Sequence, residues 1–263
     1  MYRSRTMVLL LRSRRLLCSI LLLAVFSLQT KMRNVESFAV SGNLHSPSMQ
    51  QESRTRLCST DSGDDAKSNG NANANGIRFL GRGANAIVRP GVVLLAPAEE
   101  FHHYLRQSAV FIYSMGLDDD DEYVVRGVIL DNPTPFNIGE MMEVKTAGGI
   151  FENLIYRGGE SGGQEAVFCL HSVEDMGLEE IGTSRVYQGG DLERLDGKND
   201  PSRVKFFFNY MEFLEQELED MLEIIHDDGD GWTSVEVPPE IVLDNDCDKS
   251  EAWSRLRNAV RGK

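Results

Sequence analysis

His171 closes the apolar run "AVFCL" (166–170), and a histidine at a strand end can serve as a general base when a carboxylate orients it. The carboxylate that invites the pairing is Asp131, where "VVRGVIL" (124–130) stops at a polar turn, Asp131-Asn132, before Pro133. Those positions define a hydrolase-type reading in which His171 works with carboxylates near Asp131. No nucleophile is evidently paired with the histidine, so a structural residue at a strand end is the plainer expectation. "RGGESGG" (157–163) supplies a second candidate, because Arg157 is its one positive group and the amides of a turn built on Gly158 and Gly159 can hold an anion. The segment lacks the Lys-Ser/Thr of a phosphate-cradling loop, so a hairpin turn is the plainer expectation.

Other clusters carry less. His102 and His103 are adjacent, and neighbouring side chains diverge on helix or strand alike, whereas a metal needs three or four convergent ligands. "DDDDE" (118–122) and "DDGDGW" (227–232) lack the spacing of a calcium loop. No metal site and no cofactor is expected. Of four cysteines only Cys169 and Cys247 fall in the body of the chain, which gives no disulfide framework and no Cys-x-x-Cys pair. Cys169, inside an apolar run, is expected to be a small core residue.

Strands must position these groups. "GVVLLA" (91–96), "SAVFIYSM" (108–115) and "YVVRGVILD" (123–131) are β-branched and aromatic runs bounded by Pro97 and by "GLDDDDE" (116–122). The second and third are predicted to form an antiparallel hairpin, with a short helical turn over 97–107. "ENLIYRGG" (152–159) and "EAVFCLHS" (165–172) are predicted to pair across the glycine-rich turn, and "SRVYQGG" (184–190) adds a strand. A strand over 203–208 is predicted to run into a helix from about 212 to 226, and a helix over 250–260 to be capped by Ser250. Hairpins with few helices indicate an α+β fold rather than a parallel βαβ sheet.

The front of the chain differs in composition. Residues 1–76 carry ten Lys/Arg against five Asp/Glu, and residues 77–263 carry seventeen against thirty-six. An acidic body of that kind disfavours direct nucleic-acid binding unless a local basic patch exists, and the linear sequence offers none. Arg12, Arg14 and Arg15 precede "LLCSILLLAVFSL" (16–28), a run of signal-peptide length and short of a comfortable membrane span. Small residues Val35 and Ser37 stand before Phe38, and residues 38–60 are Ser-rich and acid-poor. Residues 1–37 therefore read as a signal peptide and 38–60 as a transit-peptide-like segment, similar to the bipartite presequences of algae with secondary plastids. Residues 61–76, with no large apolar side chain, read as a disordered tether. One domain, 77–263, follows, with no membrane span in the mature chain. The expected location is the plastid stroma, the alternative a secreted protein.

The order "PGVVLLA", "SAVFIYSM", "RGVILDNP", "YRGGE", "VFCLHS", "RVYQGG", "RVKFFFNY" and "GW" resembles the AlgH-like family, uncharacterised proteins sometimes called transcriptional regulators. The resemblance covers roughly residues 88–260. It implies a single α+β domain with a large, mostly antiparallel, barrel-like sheet flanked by helices. The family's Leu-Asn-Arg-Pro stands here as Leu130-Asp131-Asn132-Pro133, its Gly-Gly-Pro as Gly158-Gly159-Glu160 and its Leu-His as Leu170-His171. Its Gly-Tyr-x-Gly-Trp becomes Asn209-Tyr210-Met211-Glu212-Phe213, which keeps Tyr210 and loses the glycines. The lost arginine is expected to remove an anion contact beside the turn, and the lost glycines to remove backbone freedom. Asp131, Asn132, Arg157, Gly158, Gly159, His171 and Tyr210 are thus the candidate pocket or turn residues. The reading they support is a ligand- or protein-binding regulatory domain rather than an enzyme, its partner a protein or small molecule. A fusion of residues 1–76 to a fluorescent reporter is expected to reach the plastid in an algal host, and secretion of the reporter would refute that address.

Overall fold

The computed structural model of the chain describes residues 76–142, 148–163, 166–198, 200–226 and 229–261. The leader and nearly all of the tether expected over 1–76 lie outside them. Six strands, β1 (Arg78–Arg82), β2 (Val93–Leu95), β3 (Ala109–Leu117), β4 (Tyr123–Ile129), β10 (Met211–Leu214) and β11 (Thr233–Glu236), form one antiparallel sheet in the order β1-β11-β2-β3-β4-β10. Five more, β5 (Pro133–Asn137), β6 (Leu154–Arg157), β7 (Val167–His171), β8 (Tyr187–Gln188) and β9 (Val204–Phe208), form a second sheet in the order β5-β6-β9-β7-β8. Only the β6–β9 pair in it is parallel. The helices are α1 (Ile138–Met141), α2 (Leu192–Lys198), α3 (Glu215–Glu223), α4 (Pro239–Val242) and α5 (Glu251–Val260). The α+β class is as expected; the strands divide between two sheets, and neither closes into a barrel.

Alternation along the strands explains the layering. Successive strand residues face opposite sides, so Val93, Leu95 and Phe111 of the first sheet join Tyr156, Leu170 and Phe207 of the second in one buried cluster between the sheets. Their neighbours Leu94, Val110 and Ile112 pack on the outer side with Leu218 and Leu222 of α3 and with Trp232. Ile155, Cys169 and Phe206 pack outward with Ile138 of α1 and Leu195 of α2. Both faces of each sheet are covered, and that is why "VVLLA" and "AVFI" are continuous apolar runs rather than alternating ones. Cys169 is a core residue, as expected. The central cluster is completed at one end by Leu243, Ala252, Leu256 and Val260 from the C-terminal helices.

Two expectations about these segments fail. β6 and β7 do not pair with each other, because β9 lies between them. Their glycine turn is a crossing point: a Cβ on Gly158 would lie 2.4 Å from the Asn209 carbonyl oxygen, and one on Gly159 2.2 Å from that of Tyr210. The Gly158 carbonyl accepts from Ile129 N–H at 2.9 Å while its own N–H donates to Phe208 O at 2.9 Å, so this residue stitches the two sheets together. Residues 212–214, expected to open a helix, belong instead to strand β10, paired with β4. Asn209 makes the turn between β9 and β10 with φ of 63°, a left-handed conformation that asparagine tolerates better than most residues. The loss of glycine there did not cost the turn. Over 97–107 the chain forms turns, one of them closed by the Arg106 N–H donating to His102 O at 2.9 Å.

One charge sits at the centre. Lys205 shares the inward face of β9 with Phe207 and is fully buried. Its ammonium donates to the carbonyls of Leu130 (2.8 Å) and Asp244 (2.5 Å) and lies 3.7 Å from the centre of the Tyr156 ring. Burial lowers its pKa to about 8, with Cys247, Asp244 and Asp131 opposing the shift. Removing the side chain leaves a cavity and two unsatisfied carbonyls, so Lys205→Ala is expected to cost roughly 3–5 kcal/mol in denaturant unfolding. Lys205→Met, which fills the space, is expected to cost less. Equal stability of Lys205→Ala and the parent would contradict this role.

Candidate functional site

A cavity of about 610 Å³ opens where β4 ends. Its walls are the turn carrying Tyr104 and Arg106, the Asp131–Phe136 segment, Ile155 and Arg157 of β6, Phe208 of β9, and Lys249-Ser250 before α5. Ile129, Phe136, Met141, Ile155 and Phe208 make an apolar lining. Arg106, Arg157 and Lys249 supply positive charge, and Asp131 is the one carboxylate.

Asp131 is turned inward. It is 2% exposed, and its Oδ2 accepts from the Trp253 backbone N–H at 2.9 Å. Trp253 lies in the first turn of α5, where backbone N–H groups have no partner within the helix, so Asp131 caps this helix from the far side of the chain. Ser250, expected to do so, takes φ of 63° and makes no side-chain cap bond; its backbone N–H donates instead to the Asp131 carbonyl at 3.2 Å. The Trp253 indole N–H donates to Ala96 O at 2.8 Å. Helix α5 is thereby tied to the ends of both β2 and β4.

Arg157 is held over the Tyr104 ring at 4.6 Å, with Nη2 on the Tyr104 hydroxyl and Nε 3.4 Å from the Gly159 carbonyl. Both residues it contacts are neutral, so among the described residues no carboxylate compensates its charge at the cavity wall. The backbone N–H of Arg157 donates to Asn132 O at 2.8 Å, which fixes the guanidinium beside the turn. The arginine missing at position 132 was expected to deprive the site of an anion contact. The fold supplies cations there from three other segments.

His171, Tyr210 and the two glycines lie apart from the cavity walls. His171 is fully buried, with Nδ1 accepting from Val173 N–H at 3.1 Å and its ring stacked on Tyr187 at 5.7 Å. Its Nε2 has no hydrogen-bond partner among the described residues. Burial pushes the imidazole below its ordinary range, and the nearby Gly189 carbonyl opposes the shift without completing a bond. Among the described residues no hydrogen bond or ion pair joins His171 to Asp131. Tyr210 packs edge-on to Tyr113 at 6.3 Å beneath Arg126, away from the cavity walls. Gly158 and Gly159 are crossing points, as described. His102 and His103 stack on one another in an exposed turn, with His103 on the cavity wall and His102 3.4 Å from Glu160.

A family model described as AlgH-like matches residues 94–263. The chain belongs to the AlgH-like family. A crystal structure of a Corynebacterium diphtheriae protein, 18% identical, superposes with a TM-score of 0.51 over 67% of this AlgH-like chain and 89% of that one. The solution structure of the AlgH protein from Pseudomonas aeruginosa, 16% identical, gives 0.46 over 66% and 89%. The first likeness is one of fold alone. No curated protein matches the chain.

Sequence reasoning found Asp131, Asn132 and Arg157 of this AlgH-like cavity and missed Arg106, Lys249, Tyr104 and the apolar wall. Lys249 had a faint signal as the lone cation among Asp244, Asp246, Asp248 and Glu251. Burial raises the Asp131 carboxyl to about 6, the Trp253 and Ala109 amides and Lys205 opposing. The folded state holds this proton more tightly than the unfolded chain, so the group's contribution to stability is fully present below about pH 4 and is lost as pH rises through about 6. Asp131→Asn is therefore expected to gain on the parent by roughly 2–3 kcal/mol between pH 4 and pH 7 in paired denaturation curves. A difference that stays constant with pH would contradict it.

Proposed function

We propose that this AlgH-like chain acts by binding rather than by catalysis, and that the cavity at the end of β4 is where it binds. The observation that carries the reading is the composition of its walls. Three cations and an apolar lining share one cleft of ligand-accommodating size, and its single carboxylate is committed to capping α5. The separate settings of His171 and Asp131 favour binding over a His171-based hydrolysis. The charge balance of residues 77–263, seventeen basic against thirty-six acidic, argues against direct contact with DNA. A regulatory role would then pass through the ligand or a protein partner. The plastid address rests on the leader sequence alone. Among the described residues no helix is long and apolar enough to cross a membrane.

Backbone amide NMR shifts recorded against a metabolite library provide the test. A bound ligand is expected to perturb Asn132, Phe136, Arg157 and Ser250 together. Ligands that perturb only residues around His171 or Tyr210 would remove the cleft from the account.

A further inference from the structure

The acidic body of the chain makes unpaired cations informative. Arg78, Arg89, Arg126, Arg255 and Arg257 each sit in an ion pair with a carboxylate. Among the described residues Arg106 and Lys249 have no ion pair or side-chain hydrogen bond; Arg185 and Arg261 have none either, but Arg106 and Lys249 face one cavity. Among the described residues Arg157 bonds only neutral groups. All three line the same cavity.

We infer that the ligand of this cleft is an organic oxyanion with an apolar body, its charged end at Arg157, Arg106 and Lys249 and its body along Phe136, Ile155 and Phe208. The inference rests on the binding reading above and adds the ligand's chemistry. Arg157 carries it furthest. Stacked on Tyr104 and held at Nε and Nη2, its planar fork is set before any ligand arrives, so little side-chain freedom is lost on binding. Its two Nη1 protons and the second Nη2 proton remain for the oxygens of a carboxylate or a phosphate monoester. A cationic ligand would meet three like charges, and a neutral one would leave them uncompensated in a partly desolvated cleft. Asp131 does not compete for the cations, since its carboxylate faces the Trp253 amide. The apolar wall, which includes the fully buried side of Ile155 and the half-buried rings of Phe136 and Phe208, has nothing to contribute to acetate or inorganic phosphate. It rewards a chain or ring attached to the charged group.

The test is calorimetric titration of the full-length protein with hexanoate, hexyl phosphate, hexan-1-ol and hexylamine, with acetate and inorganic phosphate as anions lacking the body. Hexanoate or hexyl phosphate is expected to bind at one site per chain, and whichever binds more tightly identifies the head group. Hexan-1-ol, hexylamine, acetate and inorganic phosphate are each expected to bind at least about tenfold more weakly. Arg157→Gln and Lys249→Gln, both exposed positions whose circular dichroism is expected to match the parent, should each weaken the acid about tenfold, the scale of one charge-assisted hydrogen bond. Equal binding of the alcohol or amine, or unchanged affinity in both variants, would overturn the oxyanion assignment while leaving the cleft's role to the NMR mapping. Absence of binding by both hexanoate and hexyl phosphate would likewise overturn it.

Discussion

The buried ammonium of Lys205 is the constraint around which the functional end of the molecule is organised. A charge placed between two sheets is tolerated only where its protons find acceptors, and here those acceptors come from separate parts of the chain: Leu130 at the end of β4 and Asp244 ahead of α5, with the Tyr156 ring of β6 beneath. Satisfying one lysine therefore brings β4, β6, β9 and the 244–250 segment into a fixed relation. Asp131, the residue after Leu130, then reaches the first turn of α5. The cavity exists because these pieces meet: its walls include Asp131, Ile155, Phe208 and Lys249, one from each.

The same arrangement separates two kinds of charge. Lys205 and Asp131 are spent on architecture, each held away from its ordinary pKa by burial. Arg106, Arg157 and Lys249 are exposed and, among the described residues, have no carboxylate partner. An acidic protein can thus present a local positive site without a basic run in its sequence, because a field at one cleft depends on which groups face it and not on the sum over the chain.

Much of the fold was legible. The strands β2, β3 and β4, the hairpin between β3 and β4, and helix α5 follow from apolar runs and turn residues that act locally. What failed was partner choice. "RGGESGG" has the composition of a hairpin turn, and nothing local reveals that β9, some fifty residues on, would slot between its flanking strands. The 203–226 segment mixes strand and helix periods because it leaves one sheet, turns at Asn209 and enters the other. Ser250 looked like a cap because serine before a helix usually is one; the cap came instead from Asp131, which only the tertiary fold could bring there. Lys205 was the overlooked clue. A lysine on the same face as Phe207 in an otherwise apolar strand must be either a surface residue or a buried tie, and the unbroken run around it favoured the second. Of the cleft, the turn at Asp131-Asn132 and Arg157 were visible, while Arg106 and Lys249 gain meaning only from their proximity in the fold.

If Lys205 docks the C-terminal segment, its loss should be felt there first. The most direct measurement is hydrogen–deuterium exchange of Lys205→Met against the parent. The expected result is a selective loss of protection over residues 244–256, Trp253 included, with the amides of Val110 and Ile112 in the centre of the first sheet unchanged. Unaltered protection at Trp253, or a uniform loss across both sheets, would contradict the account.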